Sequence, residues 1–137
     1  MEYELLEIPG LEPSYQTACK IRVLSIAGKS IALDALAQWE KAENADFKKI
    51  MKNLRILGQL GRNVRNPKRV RECGNPKYAK TYELRADKGH ARLMFFFDDI
   101  DELIVVCTNY FWKGSGIQDV AFKICFELKT IYFNAKS

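Results

Sequence analysis

The chain has 137 residues, 47% of them hydrophobic, with 22 basic against 17 acidic side chains and a net charge of +5. That length suits one domain, and that apolar fraction can build a core, so wholesale disorder is excluded. No apolar run reaches the ~18 residues of a membrane helix, and the start MEYELLEIPG lacks the basic and apolar regions of a leader. The expectation is a soluble, cytoplasmic protein with no membrane partner. Four scattered cysteines (Cys19, Cys73, Cys107, Cys125) show no CxxC or CxxH spacing, so no zinc site or other cofactor is implied.

In chain order, residues 1–19 read as an irregular extension punctuated by Pro9-Gly10 and Pro13. Lys20–Ala27 reads as a strand that ends at Gly28. Ser30 can cap a helix over Ile31–Ala42, with Ile31, Leu33, Leu36 and Trp39 as its apolar stripe. Asn44 can cap a second helix carrying Phe47, Ile50, Met51, Leu54, Leu57 and Leu60, and Gly61 suits its stop. Together they make a helical hairpin. Beyond a basic loop come three strand-like runs, Lys80–Ala86, Ala91–Phe97 and Leu103–Tyr110. Short turns at Asp87–His90 and Asp98–Glu102 make them an antiparallel meander. The end is an amphipathic helix, with Ile117, Val120, Ala121, Ile124, Cys125, Leu128, Ile131 and Tyr132 at helical spacing. The predicted fold is a single α+β domain in the order β-α-α-β-β-β-α, its helices packed on a small antiparallel sheet.

The charge is concentrated. Residues 62–80 hold Arg62, Arg65, Lys68, Arg69, Arg71, Lys77 and Lys80 against Glu72 alone, a local +6 that leaves −1 for the rest of the chain. Such a segment points to a polyanion, most often nucleic acid; the plain alternative is a solvated loop that aids solubility.

The turns also predict registers. A two- or four-residue loop over Asp87–His90 sets Arg85 opposite Arg92. A loop centred on Ile100 sets Arg92 opposite Thr108 and His90 opposite Tyr110. One face then carries Tyr82, Leu84, Ala91, Leu93, Phe95, Phe97, Leu103, Val105 and Cys107, a core face. The other carries Glu83, Arg85, His90, Arg92, Thr108 and Tyr110, followed by Met94, Phe96, Ile104 and Val106. Like charges directly across a strand pair are destabilising, so something must compensate. Either an anion lies between the arginines, or Glu83 and Asp87 neutralise them.

Other motifs carry less. Ala27-Gly28-Lys29-Ser30 lacks the first glycine of a P-loop, which falls on Val23, so a turn and helix cap are expected. The acidic turn Asp98, Asp99, Asp101 and Glu102 has no EF-hand spacing and reads as a solvated hairpin tip. Cys73 reads as an ordinary loop cysteine. Trp112 can stack on an exposed base or seal the sheet; Phe111 is expected in the core.

Tyr82-Glu83-Leu84-Arg85, Ala91-Arg92-Leu93-Met94-Phe95-Phe96-Phe97-Asp98-Asp99, Leu103–Cys107 and Asn109-Tyr110-Phe111-Trp112-Lys113 together resemble the HigB/RelE type of bacterial toxin, in the RelE/ParE superfamily. The resemblance spans roughly residues 31–135. It implies a RelE-like α+β domain acting as a ribosome-dependent mRNA endonuclease that inhibits translation. A co-encoded antitoxin, acidic and of helix-turn-helix type, would neutralise it. In that chemistry the RNA 2′-hydroxyl attacks the neighbouring phosphate and leaves a 2′,3′-cyclic phosphate, which needs a base, an acid and cations. By resemblance, Arg92 and Arg85 are phosphate-stabilising strand arginines, and Lys113 is the lysine after the third strand. His90 and Tyr110 match no motif position and enter as candidate acid or base because the register brings them alongside. The chain departs from the family at Gly114-Ser115-Gly116-Ile117, where a Thr-Pro and a second lysine are common, and in its long N-terminal extension. Alternatives from other classes are a non-catalytic relative of the gyrase-inhibiting ParE type, a degenerate toxin that only binds, or an unrelated basic RNA-binding protein.

Overall fold

Ser30 and Asn44 start the first two helices through their side chains. In the computed structural model, which describes residues 2–100 and 102–137, Ser30 Oγ accepts from the Leu33 amide and Asn44 Oδ1 from the Asp46 amide. Helix α1 runs Ile31–Lys41 and α2 runs Ala45–Leu60, where Gly61 ends it at φ 58°. Gly28, at φ 78°, belongs to the tight turn before α1, as expected for a strand-to-cap connection.

Among the described residues six strands form one sheet: β1 (Tyr3–Leu6), β2 (Lys20–Ile26), β3 (Val70–Glu72), β4 (Tyr82–Arg85), β5 (Ala91–Asp98) and β6 (Ile104–Trp112). Their spatial order is β1-β2-β6-β5-β4-β3, and α3 (Gln118–Lys136) follows. The class is α+β, but the expected antiparallel sheet is mixed, because β2 pairs with β6 in parallel. A parallel pair needs a crossover, and the helical hairpin after β2 begins it.

Two strands were not expected. The N-terminal extension holds β1, in which Tyr3 and Leu5 turn to one apolar cluster and Leu6 to the other, the period-2 alternation of a strand. The basic loop holds β3, a three-residue edge strand on which Val70 packs inward while Arg71 and Glu72 stay exposed. Short, charged edges of this kind resist further strand pairing.

The sheet is covered on both faces. Leu84, Ala91, Leu93, Phe95, Val105 and Cys107 pack beneath α1 and α2 on the core face the registers predicted. Met94, Phe96 and Val106 lie on the opposite face under Ala121, Phe122, Cys125 and Tyr132 of α3. Ile117 and Val120, expected in that apolar stripe, are exposed, as are Ile31 and Leu60 of the other helices. The α3 stripe is rotated toward Phe122. All four cysteines are free thiols, and burial pushes Cys19 up to about 11 and Cys125 up to about 12.

The acidic turn after β5 is only partly solvated. Asp99 is exposed and pairs with Arg62, whereas Asp98 is fully buried and accepts from Tyr132 Oη and Lys136 Nζ. Asp101 lies outside the described residues. Burial alone would raise the Asp98 pKa, but hydrogen bonds from Lys136, Tyr132 and the Ile100 amide outweigh it and hold the carboxyl below its ordinary value. The folded value therefore lies under the unfolded one of about 3.9. The stabilisation is complete above that unfolded value and is lost as pH falls through the folded one. Asp98→Asn should cost about 2–3 kcal/mol at neutral pH. Urea midpoints measured between neutral pH and pH 3 should then fall less steeply for the variant than for the parent.

Candidate functional site

The β4–β5 hairpin has the predicted register, with Arg85 directly opposite Arg92. Two guanidinium groups held together need compensation. Glu83, two residues earlier on the same strand face, supplies half of it. Its Oε1 lies 3.4 Å from Arg85 Nε and 4.0 Å from Arg92 Nε, and the residue is 1% exposed. Gln118 at the start of α3 donates to the other carboxylate oxygen at 3.4 Å. Asp87, the second acid expected to neutralise the pair, sits exposed at the rim and pairs with neither arginine. One carboxylate thus faces two cations, and Arg85 Nε is buried without a hydrogen-bond partner.

The two arginines differ in depth. Arg92 is 3% exposed, and its Nη1 donates to the carbonyls of Gly89 and Ala91. Burial, then Arg85, push its pKa below the ordinary arginine value against the pull of Glu83 and Asp46. It stays charged and forms the floor of the site. Arg85 is more open; its Nη1 donates to the Pro67 carbonyl at 2.9 Å.

Asp46, in the first turn of α2, fixes the hairpin loop. Its Oδ2 accepts from the His90 amide at 2.7 Å and the Ala91 amide at 3.0 Å. Burial works against ionising this carboxyl. The amide bonds from Ala91 and His90, with Lys49 and His90 nearby, prevail and lower its pKa. A Cβ at Gly89 would land on the Asp46 carboxyl group, so this close approach requires glycine. Nothing local in the sequence marks this tie, which joins residues 44 apart.

The β5–β6 register departs from expectation. Phe95 faces Cys107, two residues along from the partner a loop centred on Ile100 would give it; beyond that pair Leu93 faces Tyr110 and Arg92 faces Phe111, so Thr108 and Asn109 together oppose Met94 in a bulge. Thr108 Oγ1 donates to Asn109 Oδ1, and Asn109 Nδ2 donates to the Ala121 carbonyl of α3. A one-residue slip sends each later side chain to the opposite face. Tyr110 consequently leaves the arginine face and packs edge-on against Trp39 of α1, with ring centroids 5.5 Å apart. It is not part of the site. Phe111 turns toward α3 and is buried, as expected. Trp112 stacks on His90 (5.8 Å, 12°) and also meets Trp39, while 37% of its surface stays exposed. His90 therefore lies beside Trp112, not opposite Tyr110. Its carbonyl accepts from the Lys113 amide at 2.8 Å, which brings Lys113 to the arginines.

Arg85, Arg92, Lys113 and His90 line one cavity of about 230 Å³ together with Lys68. A contiguous cavity of about 440 Å³ shares Arg85, Arg92 and Lys113 and adds Arg71, Glu83 and Gln118. Six cations (Lys68, Arg71, Arg85, Lys88, Arg92, Lys113) border this groove against two carboxylates, Glu83 and Asp87. Its field favours an anion. The groove thus offers guanidinium and ammonium donors to an anion, with an imidazole among its lining groups.

The basic segment does not line one surface. Lys68 and Arg71 border the groove, and Arg69 contributes its carbonyl to the Arg85 amide. Arg65 and Lys80 line two adjoining clefts beside the end of α2 that share Arg62, Glu72, Tyr82 and Phe97, apart from the groove. Lys77 is exposed on a 3-10 turn, Pro76–Tyr78, away from the groove. Pairing β3 to the sheet edge splits the segment.

Among the described residues no group of three or more His, Cys, Asp or Glu side chains can hold a metal ion, and no helix is long and apolar enough to cross a membrane. No family model, no curated protein and no solved structure matches this chain.

Proposed function

We propose that the chain is a RelE-like endoribonuclease of the HigB/RelE kind, a toxin that cuts ribosome-engaged mRNA and so inhibits translation. The observation that carries this reading is the convergence of Arg85, Arg92, Lys113 and His90 on one positively charged groove. The reaction needs a 2′-O–P bond to form as the P–O5′ bond breaks. His90 takes the proton of the attacking 2′-hydroxyl, and the Lys113 ammonium gives one to the departing 5′ oxygen. Arg85 contacts the non-bridging phosphate oxygens, and Arg92 adds charge from the floor. Lys68 and Arg71 position the flanking backbone, and Trp112 offers an exposed ring for a base. No cofactor enters this scheme. The partners are the ribosome, mRNA and an acidic antitoxin that covers the groove, all in the cytoplasm.

The test is a translation reaction programmed with a defined mRNA and the purified chain. Cut RNA bearing 2′,3′-cyclic phosphate and 5′-hydroxyl ends, formed only when ribosomes engage the message, is the expected result. RNA bound but uncut would replace this reading with a binding module. Growth arrest with intact mRNA and DNA damage would replace it with gyrase inhibition.

A further inference from the structure

A second cavity, of about 490 Å³, shares no lining residue with the groove. It is bounded by three cations, Arg62, Lys80 and Lys129, by two carboxylates, Glu72 and Asp99, and by the rings of Tyr82, Phe97 and Phe133. Its volume falls within the roughly 300–1,000 Å³ of small-molecule sites.

Its charges are unevenly matched. Arg62 is occupied: Nη2 meets Asp99 at 2.8 Å, and the guanidinium lies 4.4 Å from the Phe97 ring centroid. Glu72 and Arg62 both interact with the Tyr82 phenol. Lys80 and Lys129 are left, two like charges facing one cavity, and neither forms an ion pair among the described residues. Lys129 Nζ donates to the Ala79 carbonyl, which ties it to the turn that presents Lys80, and lies 5.6 Å from the Phe126 ring centroid. Burial, then Lys80, lower the Lys129 pKa against the pull of Cys125 and Glu72. Lys80 also holds φ 60°, the left-handed region where a long side chain is uncommon. Strain of that kind concentrates at ligand sites.

The remaining wall is aromatic and rigid. Tyr82 stacks on Phe95 at 5.3 Å and meets Phe97 edge-on at 5.1 Å. Two unpaired ammonium groups suit one phosphate, a carboxylate suits vicinal hydroxyls, and aromatic edges suit a planar base.

From this arrangement we propose that the cavity between β3, β4 and α3 binds a nucleoside monophosphate. Lys80 and Lys129 hold its phosphate, Glu72 its ribose hydroxyls, and the Tyr82–Phe97–Phe133 wall its base. The site is independent of the groove and of the activity proposed for it.

Isothermal titration of the full chain with each of the four nucleoside 5′-monophosphates, and with inorganic phosphate, tests this. At least one nucleotide should bind saturably, about tenfold or more tighter than phosphate alone. Lys80→Glu and Lys129→Gln should each weaken it by about tenfold or more, whereas Arg85→Ala should leave it unchanged. Circular dichroism of each variant shows that the fold is retained; Lys80 is exposed, so its variant carries the test should Lys129→Gln disturb the helix. Absence of saturable binding by all four nucleotides overturns the proposal. So does equal affinity for phosphate alone, or a loss caused by Arg85→Ala and not by Lys80→Glu.

Discussion

Arg85→Ala and Lys113→Ala should each slow cleavage of ribosome-bound mRNA by about 100-fold or more, the usual cost of removing one donor to the charge that develops in the transition state. Both changes should leave the fold nearly intact. Lys113 is exposed, and Arg85 gives up one exposed hydrogen bond to Pro67 and loose contacts to Glu83. Arg92 is the less informative target, because at 3% exposure its removal also strands Glu83 and the loop carbonyls it serves. Tyr110→Phe should not change the rate, since that ring packs on Trp39 on the other face of the sheet. The measurement is single-turnover cleavage with urea midpoints as the control, alongside relief of growth arrest on induced expression. Unchanged cleavage in both the Arg85 and Lys113 variants would place the reaction elsewhere.

The second large effect concerns stability. Glu83→Gln keeps the shape of the side chain but removes the carboxylate that lies near both Arg85 and Arg92. Breaking a buried ionic cluster by deleting one partner costs about 3–5 kcal/mol. The contacts here are 3.4 and 4.0 Å, longer than tight charge-assisted bonds, so the lower end, about 3 kcal/mol, is expected. The more telling readout is the response to anions. A groove that has lost its internal carboxylate should bind phosphate or sulfate more tightly than the parent. At ten times the dissociation constant such binding restores about 1.4 kcal/mol. Urea unfolding in chloride and in phosphate, for parent and variant, should therefore show the larger phosphate gain in Glu83→Gln. Equal gains would mean that the two arginines do not share one anion site.

This electrostatic arrangement bears on how the groove can work. With Glu83 in place, the arginine pair carries one net positive charge and tolerates being empty. A phosphodiester would meet cations already held in position by Glu83, Gly89, Ala91 and Pro67. Such preorganised charge is more effective than flexible surface lysines, because nothing has to reorganise as the reaction proceeds.

Much of this was open to reading from residue order alone. The hairpin between β4 and β5 follows from counting across a short polar loop, which placed Arg85 against Arg92. The face carrying Leu84, Leu93, Phe95 and Cys107 follows from two-residue alternation. Both helix caps and the stop at Gly61 follow from local hydrogen-bonding chemistry. Strand β1 was obscured by Pro9-Gly10 and Pro13 downstream, and β3 by the charges around it, since an edge strand of three residues needs no hydrophobic run.

What sequence by itself determined, then, were the features set by neighbours along the chain: the helices, the meander, the core face and the opposed arginines. Tertiary structure alone decided three others. The bulge at Thr108 and Asn109, anchored by Ala121 of α3, removed Tyr110 from the arginine face and set His90 against Trp112. The tie from Asp46 to the hairpin loop placed His90 at the groove, and pairing of β3 divided the basic segment between two cavities. Each depends on a contact between residues distant in sequence, and local periodicity carries no information about such contacts. A single inserted residue in a strand costs little locally, yet it reverses the direction of each side chain that follows.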